Sequence, residues 1–262
     1  MVIDLNGKVA LVTGASEGIG RVVAHTFARV GVRVAICSRR REAIEEAARL
    51  IQAETGSEVL PVVADIGRRQ DIGNFVQTAA NHFGRIDILV NNAHEPPMGL
   101  PMELDDEAYE ESVRVKPLGY IYCSREVVPY MRRQGGGRII MVVGGSLRSP
   151  GTHVSAGISN AAALNFAKGL ADELGKDNIL VNSVAPGLTS TRRWPWHLEY
   201  AAKRQGISAE EAERRLLSQV PLGRVGEAQD VANVVLFLAS DLASYITGSL
   251  VTVDGGVSRS ML

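Results

Sequence analysis

Cysteine is scarce in this chain of 262 residues: Cys37 and Cys123 are the only two, and no paired-motif spacing relates them. A disulfide-stapled scaffold is therefore excluded, and both read as reduced thiols packed in a core. The five histidines are scattered, none with the partner spacing of a metal ligand, so no metal site is expected. Neither sign of charge is in excess. The 28 Lys and Arg face 29 Asp and Glu, a formal net charge of −1, which leaves no basic field to attract nucleic acid or anionic lipid. No apolar run has the length of a membrane span. The opening residues Met1-Val2-Ile3-Asp4-Leu5 lack a basic stretch ahead of an apolar one, so no secretory leader is expected. Together these absences predict a cytoplasmic protein with a small-molecule substrate and no nucleic-acid or membrane partner. Repeats, linkers and low-complexity tracts are missing too, and residues 1–262 read as one domain.

What is present is an alternation of short apolar strands and amphipathic helices. Val9–Val12 is the first strand. Thr13-Gly14-Ala15-Ser16-Glu17-Gly18-Ile19-Gly20 joins it to a helix carrying Ile19, Val22, Val23 and Phe27 at helical spacing. A glycine-rich turn at that junction can present backbone N–H groups and a helix N-terminus to a pyrophosphate. Gly14 serves the tight turn, Gly18 lets the backbone approach the phosphates, and Gly20 lets helix and strand pack closely. Further strands are expected at 33–36, 59–64, 86–90, 138–143, 180–184 and 250–253. Helices are expected at 41–54, across Ile72 to Phe83, and at 105–133, 155–174, 208–219 and 227–239. Strands separated by helices mean an α/β, Rossmann-type doubly wound parallel sheet with helices on both faces. Gly135-Gly136-Gly137 reads as a helix stop and turn.

Several further landmarks follow in order: Asp65-Ile66 after the third strand, Asn91-Asn92-Ala93 after the fourth and Pro186-Gly187 after the sixth. Pro221-Leu222-Gly223-Arg224 precedes a late helix, and Asp254-Gly255-Gly256 closes the last strand. With these the chain resembles the short-chain dehydrogenase/reductase (SDR) family over essentially its full length, in particular its β-ketoacyl-carrier-protein-reductase-like members. The resemblance implies seven strands, with a nicotinamide dinucleotide at their C-terminal ends where the strand order reverses. It implies that Gly14, Ser16, Glu17, Gly18, Ile19 and Gly20 form the phosphate turn and that Asp65 and Ile66 flank the adenine. It places Asn91 and Ala93 on the adenosine ribose side, Pro186 and Gly187 also on the cofactor, and Thr191 at the nicotinamide carboxamide. It further implies a homodimer or homotetramer.

Cofactor choice turns on the end of the second strand, Cys37-Ser38-Arg39-Arg40-Arg41. An acid there would bind the ribose hydroxyls of NAD. Arginine instead pairs bidentately with a 2′-phosphate, and Ser38 can donate to it. Ser38 and Arg39 are assigned to that phosphate, while Arg40 and Arg41 read as the start of a solvated helix rich in Glu42, Glu45 and Glu46. Glu17 argues the other way, because many NADP-preferring relatives carry a basic residue there. NADP(H) is the preferred cofactor, with NAD(H) the alternative.

The family's catalytic groups are a further absence. The resemblance implies a tyrosine and lysine spaced YxxxK, a serine on the preceding strand end and an asparagine in the long helix. The tyrosine gives the proton, the lysine lowers its pKa and binds ribose, the serine polarises the carbonyl, and the asparagine holds a relay water. In this chain those positions read Ala156, Asn160, Gly144 and Lys116. Shifting the register reaches only Ser146, Ser155 or Ser159. A positioned general acid is worth about 10²–10⁴ in rate. Proximity and orientation are worth about 7–11 kcal/mol, so hydride transfer remains attainable when another group, or the substrate, handles the proton.

Two replacements are named. Lys116 precedes Pro117, which favours a helix kink, and its ammonium either reaches the vacated pocket or snorkels at the surface. His94 follows Asn91-Asn92-Ala93 and serves as acid or base, or simply as a rim residue. His153 and Ser155 rank below these, and Tyr120 and Tyr122 read as helix packing. Residues 188–220 form the substrate-covering segment, where Thr191-Arg192-Arg193-Trp194-Pro195-Trp196-His197 caps a pocket or packs at a subunit interface. Three functions fit: an SDR oxidoreductase of non-standard mechanism, a silent cofactor-binding subunit beside an active relative in a hetero-oligomer, or a non-redox dehydratase or isomerase. The first is the working expectation.

Overall fold

A computed structural model describes residues 3–94, 96–148 and 151–259. Met1 and Val2, part of the leader reading above, lie outside the described residues. The strands are β1 (Val9–Thr13), β2 (Arg33–Ser38), β3 (Val59–Val63), β4 (Ile88–Asn91), β5 (Gly137–Val142), β6 (Ile179–Pro186) and β7 (Leu250–Val253). They form one parallel sheet in the order β3-β2-β1-β4-β5-β6-β7. Between them run α1 (Gly18–Arg29), α2 (Arg41–Thr55), α3 (Arg69–Phe83), α4 (Asp106–Val113), α5 (Gly119–Arg133) and α6 (Val154–Leu174). The later helices are α7 (Trp194–Gln205), α8 (Ala209–Leu217) and α9 (Ala228–Ala239).

Strand periodicity divides the core into two layers. On β1, Val9 and Leu11 join the apolar residues of α3, α5 and α6, while Ala10 and Val12 join those of α1, α2 and α9. Both parities are buried, which is why the strands read as unbroken apolar runs. The expected face of α3, Ile72, Phe75, Val76, Ala79, Ala80 and Phe83, is its buried set. Among the described residues no helix is long and apolar enough to cross a membrane.

The strand order reverses between β1, β2 and β4, and the ends of β1 and β4 are tied together there. Thr13 Oγ1 accepts from the Asn92 N–H at 3.0 Å and the Ala93 N–H at 3.2 Å. Gly14 sits at φ +65°, and a Cβ on it would lie 2.7 Å from the Ala93 Cα. Gly20 likewise has no room for a Cβ, which would run into the Gly14 carbonyl and the Asn92 amide.

The long helical stretch 105–133 breaks where its proline predicts. Pro117 has no N–H for an i→i−4 bond, and residues Arg114–Leu118 open into a wide π-turn between α4 and α5. Lys116 and Pro117 are its buried residues. In the glycine triplet Gly135 and Gly136 make the turn with positive φ, whereas Gly137 already belongs to β5.

Gly14→Ala combines left-handed backbone with the Ala93 contact. It is expected to lower unfolding stability by about 1–3 kcal/mol, measurable by urea titration, and to reduce dinucleotide binding in the same protein.

Candidate active site

A cleft of about 1260 Å³ opens at the C-terminal ends of the strands. One end is the glycine-rich turn: Gly14, Ser16, Glu17, Gly18 and Ile19 line it, with Ser38 and Arg39 from the end of β2 and Asp65 and Ile66 after β3. Glu17 makes no capping bond with its side chain, so the first amides of α1 face the cleft uncapped by a side chain. Arg40 is held by Glu17 at 3.2 Å, whereas Arg39 makes no ion pair with any described residue. A missing Cβ at Gly18 leaves space beside Thr191, whose methyl would be 3.7 Å away. A glycine-rich turn, helical amides without a side-chain cap and flanking arginines fit a dinucleotide's phosphates.

Asn91, expected at the adenosine ribose, is fully buried beneath the sheet end, its Nδ2 directed to Ser124 Oγ and Met141 Sδ at 3.3 Å each. Asn91 is the last residue of β4 and points to the core. Asn92, just past the strand, faces the cleft instead and donates to the carbonyls of Thr13 and Gly14 at 3.0 and 3.1 Å. Strand alternation could have separated the two. Gly20 is likewise a packing residue behind the cleft, the role assigned to it in the turn. Ala93, Pro186, Gly187 and Thr191 line the cavity.

Lys116 points into the cleft, not to the surface. It is only 5% exposed, and its Nζ donates to Asn160 Oδ1 at 2.7 Å and to the Val142 carbonyl at 3.0 Å. No described carboxylate pairs with it, and burial pushes the ammonium down to about 7. The Asn160 Nδ2 then donates to Ser146 Oγ at 2.9 Å. An ammonium has only donors, so the amide oxygen must face Lys116 and the amide N–H₂ must face the serine. Gly144 makes room for this, since a Cβ there would lie 2.8 Å from Asn160 Nδ2. Ala156 lines the same wall. Among the described residues lining the cleft there is no tyrosine, and Lys116 is the sole lysine. Tyr120 is fully buried beneath, its hydroxyl donating to the Val142 carbonyl at 3.1 Å.

His94 lines the cleft as well, with Nε2 3.0 Å from Ser112 Oγ. That hydroxyl also touches Ser159 Oγ at 2.8 Å and donates to the Ser155 carbonyl at 3.0 Å. Burial, with the Lys116 and Arg193 charges nearby, holds the imidazole well below the usual histidine range. Ser112 carried no signal in the sequence, because only the folding of α4 onto α6 brings it to the site. Above lie His153 and His197, stacked at 5.3 Å. Burial, reinforced by His153 and Arg193, takes His197 to about 4. Of the two tryptophans, Trp194 faces the cleft and donates to Glu213 at 3.2 Å, while Trp196 turns outward beside Tyr200.

A family model described as enoyl-(acyl carrier protein) reductase (adh_short_C2) matches residues 14–258. The 3-oxoacyl-[acyl-carrier-protein] reductase of Thermotoga maritima is 36% identical over 259 residues, 97% of this chain and 98% of the relative. The chain belongs to the short-chain dehydrogenase/reductase family. L-Sorbose reductase of Gluconobacter frateurii, solved with NADPH and L-sorbose, superposes with a TM-score of 0.94 at 32% identity over the whole of both chains. A 7α-hydroxysteroid dehydrogenase solved with NADH and 7-oxo glycochenodeoxycholic acid gives 0.87 at 31%, covering 99% of this chain and 97% of that one. This SDR chain thus shares its seven-stranded Rossmann sheet with NAD(P)-dependent oxidoreductases.

The buried ammonium has a measurable signature. Lys116 is depressed in the folded SDR domain and ordinary in the unfolded chain. Between about pH 7 and 10.5 the unfolded state therefore binds the extra proton. The cost of the buried charge is in full force below pH 7 and fades as pH rises toward 10.5. Thermal unfolding should show the wild type gaining stability across that window relative to Lys116→Met, by a few kcal/mol at most (roughly 1.4 per pKa unit).

Proposed function

We propose that the protein is an NADP(H)-dependent oxidoreductase moving hydride between nicotinamide and the carbonyl or alcohol carbon of a small molecule. In this reading Lys116 takes the place of the tyrosine–lysine pair at the substrate oxygen. The observation that carries it is the Lys116 ammonium, buried in the cleft between two neutral acceptors. Those acceptors take two of its three N–H bonds, and no described residue claims the third. A group titrating near neutrality is poised to give a proton to a developing alkoxide and to take it back. Ser146 supports this role: its oxygen accepts from Asn160, which leaves its own O–H to donate toward the substrate. The Lys116 charge polarises the amide between them and strengthens that chain.

When bound, the nicotinamide supplies or accepts the hydride. The chain's own residues hold and orient it: the glycine-rich turn and the α1 amides take the pyrophosphate, and Ser38 with Arg39, which pairs with no described residue, takes a 2′-phosphate. That pairing, and the NADPH in the L-sorbose reductase structure, favour NADP(H) over NAD(H). His94, neutral at physiological pH, shapes the pocket wall beside the nicotinamide as an acceptor. The covering segment supplies Trp194 and Leu216 as apolar contacts for the substrate.

The test is a pH–rate profile with NADPH and a panel of ketones. Carbonyl reduction should fall as pH rises through about 7, the value set for Lys116, and alcohol oxidation should rise. Lys116→Met should lower kcat/KM by about 10²–10⁴ while NADPH still binds. A flat profile with an undiminished Lys116→Met enzyme would overturn the reading.

Restoring a YxxxK pair gives a second check. Ala156→Tyr with Asn160→Lys would bring a second ammonium against Lys116, because Asn160 already lies 2.7 Å from its Nζ. That double variant is expected to gain nothing in ketone reduction. Adding Lys116→Asn, which removes the like-charge contact, should raise it.

A further inference from the structure

We propose that Arg192, on the segment covering the cleft, is a 2′-phosphate-binding residue, and that Glu17 is the anion it exchanges for that phosphate. The inference rests on the NADP(H) reading above. Glu17 Oε2 forms an ion pair with Arg192, 2.9 Å from its Nε, and accepts a hydrogen bond from Arg40 Nη2 at 3.2 Å. One carboxylate oxygen thus holds two guanidinium groups from distant parts of the chain, one beside β2 and one from the cover. Arg39 lines the same end of the cleft without an ion pair to any described residue, and Ser38 stands beside it. Arg40 and Arg192 share the Glu17 carboxylate and Arg39 lines the same end of the cleft, so guanidinium groups outnumber carboxylates there even with Asp65 included. A phosphate monoester, with three acceptor oxygens and a charge approaching −2, is the anion that matches this surplus.

Position supports the assignment. Thr191, the residue before Arg192, lies against Gly18 of the phosphate turn, so the cover reaches the cofactor's track at this point. Glu17 starts α1 and stands between Arg40 and Arg192, where its carboxylate substitutes for the phosphate. Both ion pairs are largely exposed, with Arg40 and Arg192 side chains 60% and 65% accessible. Pairs of that kind are weak and easily exchanged. The basic residue missing at position 17 is thereby supplied from the cover, and a 2′-phosphate draws the cover onto the cofactor where a ribose hydroxyl does not.

Two single variants separate this from a plain surface latch. Affinities of wild type, Arg192→Gln and Glu17→Gln would be measured by fluorescence titration with NADPH and NADH, and by calorimetry with adenosine 2′,5′-bisphosphate and 5′-AMP. Arg192→Gln should weaken NADPH and the bisphosphate by about tenfold and leave NADH and 5′-AMP unchanged. Glu17→Gln should do the opposite and tighten NADPH, because the competing carboxylate is gone. A latch between turn and cover would make both variants shift both dinucleotides in one direction, and that result overturns the proposal. So does unaltered NADPH affinity in Arg192→Gln. Wild-type protein that binds neither dinucleotide removes the NADP(H) reading itself. NADPH bound normally by wild type and by both variants removes this inference alone.

Discussion

The Lys116 ammonium lies between the Val142 carbonyl and the Asn160 amide oxygen, largely shielded from water and with no described carboxylate to balance it. Charge in that position is costly unless a ligand arrives to share it, so the cleft favours occupants that bring or develop negative charge at this point. Burial, reinforced by that charge, keeps His94 neutral, and burial keeps His153 and His197 neutral as well. The site therefore holds one titrating cation among neutral imidazoles. A carbonyl becoming an alkoxide is the kind of group such an environment stabilises.

How the ammonium reaches this place is a matter of backbone. A regular helix through 105–133 would carry its side chains at fixed angular steps, and the π-turn at Arg114–Leu118 adds a residue to one turn. Pro117 enforces the turn by withholding a donor, and Lys116 immediately before it is buried along with it. At the other end of the cleft, positive charge is provided by Arg39, Arg40 and Arg192, tempered by Glu17. A dinucleotide lying from one end to the other would have its phosphates among the arginines and its reactive ring toward the lysine.

Much of this was legible in the sequence, and the exceptions have physical causes. Strand–helix alternation anticipates the sheet, and the spacing of Gly14, Gly18 and Gly20 anticipates the tight turn between β1 and α1, because both follow from local periodicity and local sterics. Pro117 marked the interruption in the long helix. Asn91 was misassigned because two adjacent asparagines at a strand end point to opposite sides, and a motif match does not choose between them. Ser112, and the Lys116–Asn160–Ser146 chain, depend on α4, α6 and the end of β5 meeting in space. No spacing along the chain encodes that meeting. The Glu17 pairing with Arg192 is of the same kind.

Gly144 has a consequence for how this site can change by mutation. The space a side chain would need there is held by the Asn160 amide, and that amide is what Lys116 leans on. A side chain at 144 would press on the Asn160 amide nitrogen, and so bear indirectly on the amide whose oxygen accepts from Lys116. Residues 144, 160 and 116 are thus coupled through one amide, so the effect of a change at any one of them depends on what occupies the other two.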